Sequence, residues 1–382
     1  MILKTDCKHF PGDRPCKPSK ELGIDCNECS FYSPVRFKIL IVKLDAIGDV
    51  LRTTSILHAL KKKYPDSQIT WLTKKKSSEI FHNNTFVDRI FEFESPDLNA
   101  HLLTEEFDVV INPDSSPVTA SLASISKSKV KKGFVLDKLG CIQALNKSAE
   151  EWLEMGAFDK LKKANIKSYQ QIIHDICELD FSGGEIILNL NEKELEFKQR
   201  FIENNDLINF DFIIGLNTGA SKRWQLKQWH LESYLKLIER LLTHSKTAVL
   251  LFGGEDEKSQ NEYIKSVFPS VIDTGSNNSL RDFFSLMDIP NIVVTGDTLA
   301  LHAATALKKQ VVCMFGPTSS AEIYDYGRIT KIYPEIDCLV CYKNECDFNP
   351  NCMDLITIEM VYRAVVDKMD ILKKKPDSNL SP

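Results

Sequence analysis

The sequence of 382 residues lacks a strong excess of either charge and lacks long apolar runs. Its formal net charge of -5 gives no general attraction to nucleic acid or to an anionic membrane surface. No uninterrupted apolar run approaches the length of a membrane span, and the first residues, MILKTDCKHFPGD, lack the apolar stretch of a secretory signal. We therefore expect a cytoplasmic protein with no nucleic-acid partner and at most peripheral membrane contact.

Motifs of several common enzyme classes are also missing. The chain has no G-x-G-x-x-G dinucleotide fingerprint and no G-x-x-x-x-G-K-[ST] phosphate loop. It has no G-x-S-x-G elbow of a serine hydrolase, and no compact D-x-D pair that would hold a divalent ion on a nucleotide diphosphate. These absences argue against those classes and leave other phosphate-binding arrangements open.

The pattern that is present indicates two α/β domains. With 43% apolar and 26% charged residues, the composition is typical of a soluble globular protein, and the length exceeds that of most single domains. From Arg36 onward, apolar strand-like runs alternate with amphipathic stretches, and this alternation implies parallel strands joined by right-handed crossovers. The first such stretch should place Val50, Leu57, Leu60 and Tyr64 on one helix face.

We predict two Rossmann-like, doubly wound domains that face a central cleft, with small Cys-rich segments added. The predicted boundaries are a Cys-rich N-terminal segment (1–35), an N-terminal domain (36–190), a connection (191–211), a C-terminal domain (212–334), a Cys-rich knot (335–353) and a C-terminal helix and tail (354–382).

The corners that follow the strands are the candidate ligand sites, because open parallel sheets bind ligands at the carboxyl ends of their strands. In NTGASKRW, Gly219 permits a tight turn, and Lys222 and Arg223 add two cations. This corner fits either a phosphate site or a solvated loop. In LLFGGEDE, Glu255 is the acid nearest the strand end and could hold ribose hydroxyls.

A third corner, GDTLALH, precedes a helix. Asp297 or Thr298 can cap that helix, whose N-terminus then offers free N–H groups and a positive dipole end to an anion. His302, in the first turn, can donate to a phosphate oxygen or can instead face the core.

An acidic corner, LDAIGDVLRTT, leads from the first strand into a helix. Its residues Asp45 and Asp49 fit helix caps, part of a phosphate site, a metal pair or a catalytic base, and the residue types alone leave these alternatives open.

Taken in order, these corners resemble glycosyltransferase family 9, the ADP-heptose:lipopolysaccharide heptosyltransferases and their relatives. The resemblance covers roughly residues 37–355 and rests on ILIVKLDAIGDVLRTTSILHALKKKYP, GLNTGASKRWQLKQW, LLFGGEDE and GDTLALHAATALKKQVVCMFGPT. It implies the two-domain GT-B fold and an inverting transfer without a catalytic metal. It also implies a nucleotide-sugar donor, with ADP-heptose favoured, that is held mainly by the C-terminal domain.

The resemblance also implies roles for individual residues. Asp49 matches the family's general base, Lys222 its phosphate-contacting basic residue and Glu255 its ribose-binding acid. The set implied to bind the donor is Thr218, Gly219, Lys222, Arg223, Glu255, Asp297, Thr298 and His302. Leu299 departs from the family pattern, which usually has glycine there, and would be costly if that position needed a positive φ.

The acceptor is less defined by the sequence. Asp45 and the lysines of TKKKSS, namely Lys74, Lys75 and Lys76, are candidate acceptor-binding residues, although a lysine run is as often a solvated face. A lipopolysaccharide core, another envelope glycan or a protein all remain possible acceptors, and the oligomeric state is left open.

Eight of the eleven cysteines fall into two groups of four. Each group contains a C-x2-C pair, which lets two thiolates reach one ion, so we predict structural Zn or Fe, or an iron–sulfur cluster. Some autotransporter-modifying relatives are similar in carrying a C-terminal four-cysteine iron site. The alternative is reduced thiols. The predicted ligands are Cys7, Cys16, Cys26, Cys29, Cys338, Cys341, Cys346 and Cys352.

The three cysteines outside these groups, Cys141, Cys177 and Cys313, are expected in the core because their sequence neighbours are apolar. The grouped cysteines and Leu299 also leave a second function open. In that alternative, the chain is a non-catalytic iron–sulfur or zinc regulatory protein built on an inactive transferase body.

Overall fold

The structure is a computed structural model that describes residues 2–220 and 222–374, without the side chains of Lys222, Arg223 and Gln225. The predicted tail after residue 374 lies outside the described residues. The strands are β1 (Phe37–Val42), β2 (Ser67–Thr73), β3 (Arg89–Glu92), β4 (Glu106–Asn112), β5 (Lys127–Leu136), β6 (Ile142–Ala144), β7 (Phe212–Asn217), β8 (Thr247–Phe252), β9 (Ile272–Asp273), β10 (Ile292–Gly296), β11 (Gln310–Met314) and β12 (Ile329–Ile332).

Helices connect most of these strands. They are α1 (Lys17–Leu22), α2 (Ile47–Thr53), α3 (Ile56–Lys63), α4 (Lys75–Ser78), α5 (Leu98–Thr104), α6 (Pro117–Ile125), α7 (Lys147–Ala157), α8 (Asp159–Ala164), α9 (Tyr169–Ile176), α10 (Glu192–Asn204), α11 (Leu231–Leu241), α12 (Lys258–Val267), α13 (Leu280–Met287), α14 (Leu299–Ala306) and α15 (Ile358–Lys374).

The strands form two sheets of six. The first has the order β3-β2-β1-β4-β5-β6 and the second the order β12-β11-β10-β7-β8-β9. Every described pairing is parallel except that of β5 with β6. The central strands are buried along most of their length, for example Ile39–Val42 of β1, because helices cover both faces of a parallel sheet. The predicted α/β class is confirmed.

The chain divides into two compact units, each of which is built from three separate segments of the sequence. Unit 1 comprises Met1–Ala46, Thr54–Leu153 and Gln171–Gly184, and unit 2 comprises Ile47–Thr53, Glu154–Gln170 and Glu185–Pro382. The short helix α2 therefore groups with the second sheet, although it directly follows the first strand of the first sheet.

Two expectations at the level of elements are wrong. The single helix expected after β1 is divided into α2 and α3 by a turn at Thr54 and Ser55, where β-branched and hydroxyl side chains weaken helix propensity. Cys141 is exposed, whereas Cys177 and Cys313 are buried as expected. The reason is that Cys141 lies in the turn between β5 and β6, where its backbone N–H donates to Asp137.

Helix α10 lies within the segment 191–211, and α15 lies within the segment 354–382. Among the described residues, no helix is both long enough and apolar enough to cross a membrane.

Candidate active site

The strand order of the second sheet reverses between β7 and β10, which is where open parallel sheets bind ligands. The Asn217 side chain joins the two corners that meet here, the corner after β7 and the corner after β10. Its amide Nδ2 lies 3.0 Å from the Gly219 carbonyl oxygen, 3.2 Å from Thr295 Oγ1 and 3.4 Å from Thr298 Oγ1. The two corners therefore form one site at the edge of the sheet, here called the switch-point site.

Helix α14 begins at this site. Thr298 is its N-cap, and the Thr298 hydroxyl accepts a hydrogen bond from the Ala300 N–H. Leu299 is the first helical residue and does not have a positive φ. The position therefore does not need glycine, and Leu299 carries no strain from a left-handed backbone.

Lys227 and Asp297 form an ion pair beside this helix start. Lys227 Nζ lies 2.8 Å from Asp297 Oδ2 and 3.0 Å from the Asp297 carbonyl oxygen. Both side chains are largely buried. Burial opposes ionisation of Asp297, but Lys227 outweighs it and, with His302 contributing, holds the Asp297 pKa at about 2. Asp297 therefore orients the Lys227 ammonium, which retains a third N–H for another acceptor.

His302 is buried on α14 and faces α2. Burial, with the Arg52 charge second, lowers the His302 pKa to about 4, so its ring is neutral near pH 7. A Cβ atom placed on Gly48 would lie 2.8 Å from His302 Cδ2. Glycine at position 48 thus allows α2 to approach α14 closely. This contact brings α2, which carries Asp49, to the switch-point site.

Helix α2 carries Asp49 and, one turn later, Arg52. Arg52 Nη2 lies 2.8 Å from Asp49 Oδ1, and the guanidinium lies over the Tyr169 ring, 3.5 Å from its centroid. Burial opposes the charge on Arg52, but Asp49 and further acids raise its pKa above the ordinary value. The Asp49 side chain is 36% exposed, so Arg52 holds the carboxylate while part of the side chain remains accessible to solvent.

Tyr169 also fixes the end of this helix. Its hydroxyl lies 2.8 Å from Thr53 Oγ1, which in turn donates to the Asp49 carbonyl oxygen at 2.6 Å. The Tyr169 N–H donates to the Glu322 carbonyl oxygen. The α2 backbone is thus tied to two other segments of unit 2.

A second acid, Glu322, lies near Arg52. Burial raises the Glu322 pKa, and the Arg52 charge partly offsets this effect. The Tyr342 hydroxyl donates to Glu322 Oε1 at 2.9 Å and accepts from the Ser319 N–H. Tyr342 lies between the second and third cysteines of the C-terminal group, so the Cys-rich knot contributes a side chain next to the site.

Three other residues predicted to bind the donor have different surroundings. Thr218 is fully buried, and its hydroxyl lies 2.7 Å from Asn261 Oδ1. Gly219 packs against the Glu257 side chain so closely that a Cβ atom would overlap it. Glu255 is exposed, with its carboxylate 3.4 Å from Ser276 Oγ and 3.9 Å from Lys258 Nζ.

The side chains of Lys222 and Arg223 lie outside the described residues. Their backbone belongs to a short 3-10 segment, Lys222–Lys227, and their predicted role in phosphate binding stays a prediction.

The candidate acceptor residues lie in unit 1. Lys74 Nζ lies 2.7 Å from Asp45 Oδ2, and both side chains are partly exposed. Lys75 and Lys76 are exposed in α4. The structure therefore brings Asp45 together with Lys74, while Asp49 belongs to unit 2.

The cysteine side chains of each group are not arranged around a single metal ion. Among the described residues, no three Cys, His, Asp or Glu side chains are arranged to hold a metal ion, and the eleven cysteines are free thiols. Burial, with the charges of Cys341, Cys346 and Cys338 next, raises the Cys352 pKa to about 11. The predicted structural Zn or Fe has no support from these arrangements.

The sequence analysis did not identify Arg52, Tyr169, Lys227, Glu322 or Tyr342. For two of them, the position in the sequence gave a signal that could have been used. Arg52 stands three residues after Asp49, a spacing at which side chains on a helix meet. Lys227 stands two residues before the buried Trp229, in the segment that precedes α11. The other three come together only through the tertiary fold.

Comparisons with known proteins identify the family of this chain. The family description Glycosyltransferase family 9 (heptosyltransferase) matches residues 97–351. Lipooligosaccharide heptosyltransferase 2 of Haemophilus influenzae is 22% identical over 74% of this chain and 84% of its own length.

Two solved structures are similar in fold. A glycosyltransferase family 9 protein from Veillonella parvula has a TM-score of 0.71 and 18% identity, with 89% of this chain and 98% of that chain covered. The E. coli heptosyltransferase WaaC, solved with ADP-2-deoxy-2-fluoro heptose, has a TM-score of 0.59 and 17% identity, with 87% and 99% covered. The two sheets and these neighbours confirm the expected GT-B fold class.

The family match spans more than half of the chain and contains the switch-point corners, and so confirms the resemblance drawn from the four sequence corners. The chain belongs to glycosyltransferase family 9, the heptosyltransferase family.

Proposed function

We propose that this protein transfers a heptose from ADP-heptose to a hydroxyl group of a lipopolysaccharide-core acceptor, with inversion and without a catalytic metal. The observation that carries the proposal is the contact of α2 with α14, which brings Asp49 and the switch-point site into one unit. Family membership and the heptosyltransferase relatives support the type of reaction.

In the proposed reaction, Asp49 is the general base. The acceptor oxygen attacks the anomeric carbon from the face opposite the nucleotide, and its proton passes to the Asp49 carboxylate. The bond from the anomeric carbon to the diphosphate oxygen breaks, and ADP leaves with the electron pair. The 2.8 Å ion pair with Arg52 holds the carboxylate in one orientation, which is the main requirement for a positioned base.

The leaving diphosphate gains negative charge, and cationic groups stabilise it in this proposal. Lys227, with its third N–H, and the N-terminus of α14 are the described groups suited to this task. Lys222 and Arg223 would add to them. Asp297 and Thr298 act indirectly, through the orientation of Lys227 and the cap of α14. His302, being neutral, would donate one hydrogen bond.

The remaining assignments concern the adenosine part of the donor and the acceptor. Glu255 is exposed and is proposed to hold the adenosine ribose. Thr218 and Gly219 are proposed to shape this corner through their backbone, because their own contacts are with protein. Asp45 and Lys74–Lys76 are proposed for the acceptor side.

A structural metal at the C-terminal cysteines is a separate proposal. It rests on the sequence spacing of Cys338, Cys341, Cys346 and Cys352, which contains a C-x2-C pair, and not on the arrangement of these side chains in the structure. Metal analysis of anaerobically prepared protein tests it, and absence of metal would remove it.

Calorimetric titration with ADP, UDP and GDP tests the nucleotide site. We expect ADP to bind most tightly, and we expect Lys227→Met to weaken ADP binding by about tenfold or more, because a charge-assisted hydrogen bond contributes about 1.5–3 kcal/mol. Lys236→Met, at an exposed position of α11, is the matched control and should bind like wild type. A wild-type protein that binds none of the three nucleotides would favour the non-catalytic alternative.

A further inference from the structure

The N-terminal Cys-rich segment has no hydrophobic core of its own. In the described residues 2–38, none is buried, and α1 contributes no buried side chain. Segments of fewer than about 40 residues do not bury enough surface to fold alone and usually need disulfides or metals. A segment without buried side chains therefore needs another source of order.

The segment nevertheless has a defined backbone. Cys7 forms a β-bridge with Pro34, and the Lys8 N–H donates to the Ser33 carbonyl oxygen at 2.7 Å. Cys16 is the N-cap of α1, and Gly23 ends that helix with a left-handed φ of 67°. Exposed backbone hydrogen bonds of this kind contribute little net stability, and no disulfide joins the described cysteines.

The four cysteines of this segment surround one cavity. Cys7, Cys16, Cys26 and Cys29 all line a space of about 490 Å3, together with His9 and apolar side chains such as Phe10. They come from the β-bridge, the start of α1 and the chain that follows α1, so the fold collects them from three places. None of them has a role in the proposed transfer.

The arrangement of the four cysteines bears on which metal centre fits. A single Zn or Fe ion needs thiolates about 2.3 Å from one point, and hence sulfur atoms within about 4 Å of one another. Among the described residues, no three Cys, His, Asp or Glu side chains converge on one point in this way, although all four cysteines line one cavity. Thiolates are the usual ligands of iron–sulfur clusters, and in a four-iron cluster each thiolate binds a different iron, so the four sulfur atoms do not have to converge on one point.

We propose that Cys7, Cys16, Cys26 and Cys29 bind a four-iron, four-sulfide cluster that holds the N-terminal segment together. Binding joins four thiolate sulfurs to four irons and breaks the four bonds from those irons to the thiolate ligands of the cluster donor. The four protons released by the cysteines pass to these departing ligands or to solvent, so a preassembled cluster is taken up by ligand exchange without a change in oxidation state. This centre is independent of the transferase activity proposed above.

The first test is composition. Protein purified without oxygen is analysed for iron, zinc and acid-labile sulfide, in wild type and in the Cys26→Ala/Cys29→Ala double variant. We expect the double variant to lose four irons and four sulfides per chain relative to wild type. Cys141→Ser, at an exposed cysteine outside both groups, is the control and should retain them. An unchanged iron and sulfide content in the double variant would overturn the proposal, as would zinc without sulfide in wild type.

A second measurement uses wild-type protein alone, so that misfolding of a variant does not decide the outcome. Thiol alkylation followed by mass spectrometry should find the four N-terminal cysteines protected before the cluster is removed with a chelator and oxidant, and reactive after removal and reduction. Equal alkylation before and after removal would contradict the proposal.

Discussion

At the scale of single residues, the site depends on how charges are paired. Asp49 and Asp297 are both acids, but each has its own cation, Arg52 and Lys227 respectively. Asp49 remains partly exposed, whereas Asp297 is largely buried. This difference supports our proposal that Asp49 accepts the proton and that Asp297 orients Lys227.

In the proposed mechanism Arg52 positions Asp49, and replacement of Arg52 by lysine tests this role. Lysine keeps the charge but loses the planar guanidinium that lies over Tyr169 and pairs with Asp49. We expect Arg52→Lys to lower kcat by about tenfold or more while the KM for the donor changes little, as measured by steady-state kinetics. A rise in donor KM with kcat unchanged would instead indicate that Arg52 binds the donor.

His302 gives a prediction about pH. Its folded-state pKa of about 4 lies below the ordinary value of 6.5, so the unfolded chain binds the proton more readily. Stability should therefore fall as the pH decreases from about 6.5 to about 4. Histidine NMR, assigned with His302→Gln, should find the His302 ring titrating near pH 4. A titration near 6.5 would contradict the buried neutral ring.

Asp297 acts in the same direction at lower pH. Its folded-state pKa of about 2 lies below the ordinary value of 3.8, so the stability that it contributes is present above about pH 4 and disappears as the pH falls towards 2.

At the scale of elements, the site depends on the packing of α2 against α14. Any side chain at position 48 would meet His302. This explains why the corner that precedes Asp49 contains glycine, and why the break between α2 and α3 is important. The break lets α2 associate with unit 2 while α3 continues in unit 1.

Gly48→Ala tests this packing. We expect it to lower the free energy of unfolding by about 1–3 kcal/mol through overpacking and to reduce turnover, because His302 and α2 must move apart. Gly156→Ala, also a helical glycine but with no atom near the added methyl group, is the matched control. It should be neutral or stabilising by about 0.5–1 kcal/mol in chemical denaturation. Equal stability of both variants would show that the contact is not tight.

At the scale of the whole molecule, the sequence predicted the class of fold because buried parallel strands have a simple signature. Runs such as Phe37–Val42 and Thr247–Phe252 are apolar at nearly every position and alternate with helices. The family motifs also predicted where the corners lie. The grouping of Ile47–Thr53 with the second unit could not be predicted, because local periodicity does not reveal which sheet a helix packs against.

The same limit applies to the site. Asp297, Thr298 and His302 could be found because they are close in sequence and form a helix start. Lys227 and Glu322 are brought to the same site by the fold from positions 70 residues before and 25 residues after Asp297, so no local motif contains them. The N-terminal cysteines were found by their spacing, but the spacing did not reveal that they surround a cavity rather than a point.

The measurement that tests the central claim most directly is the release of ADP from ADP-heptose in the presence of a heptose-deficient lipopolysaccharide core. We predict turnover by wild type and by Asp367→Asn, an isosteric change at an exposed position of α15. We predict a loss of about 10²–10⁴-fold in Asp49→Asn, with ADP binding retained. Wild-type turnover by Asp49→Asn would contradict the account.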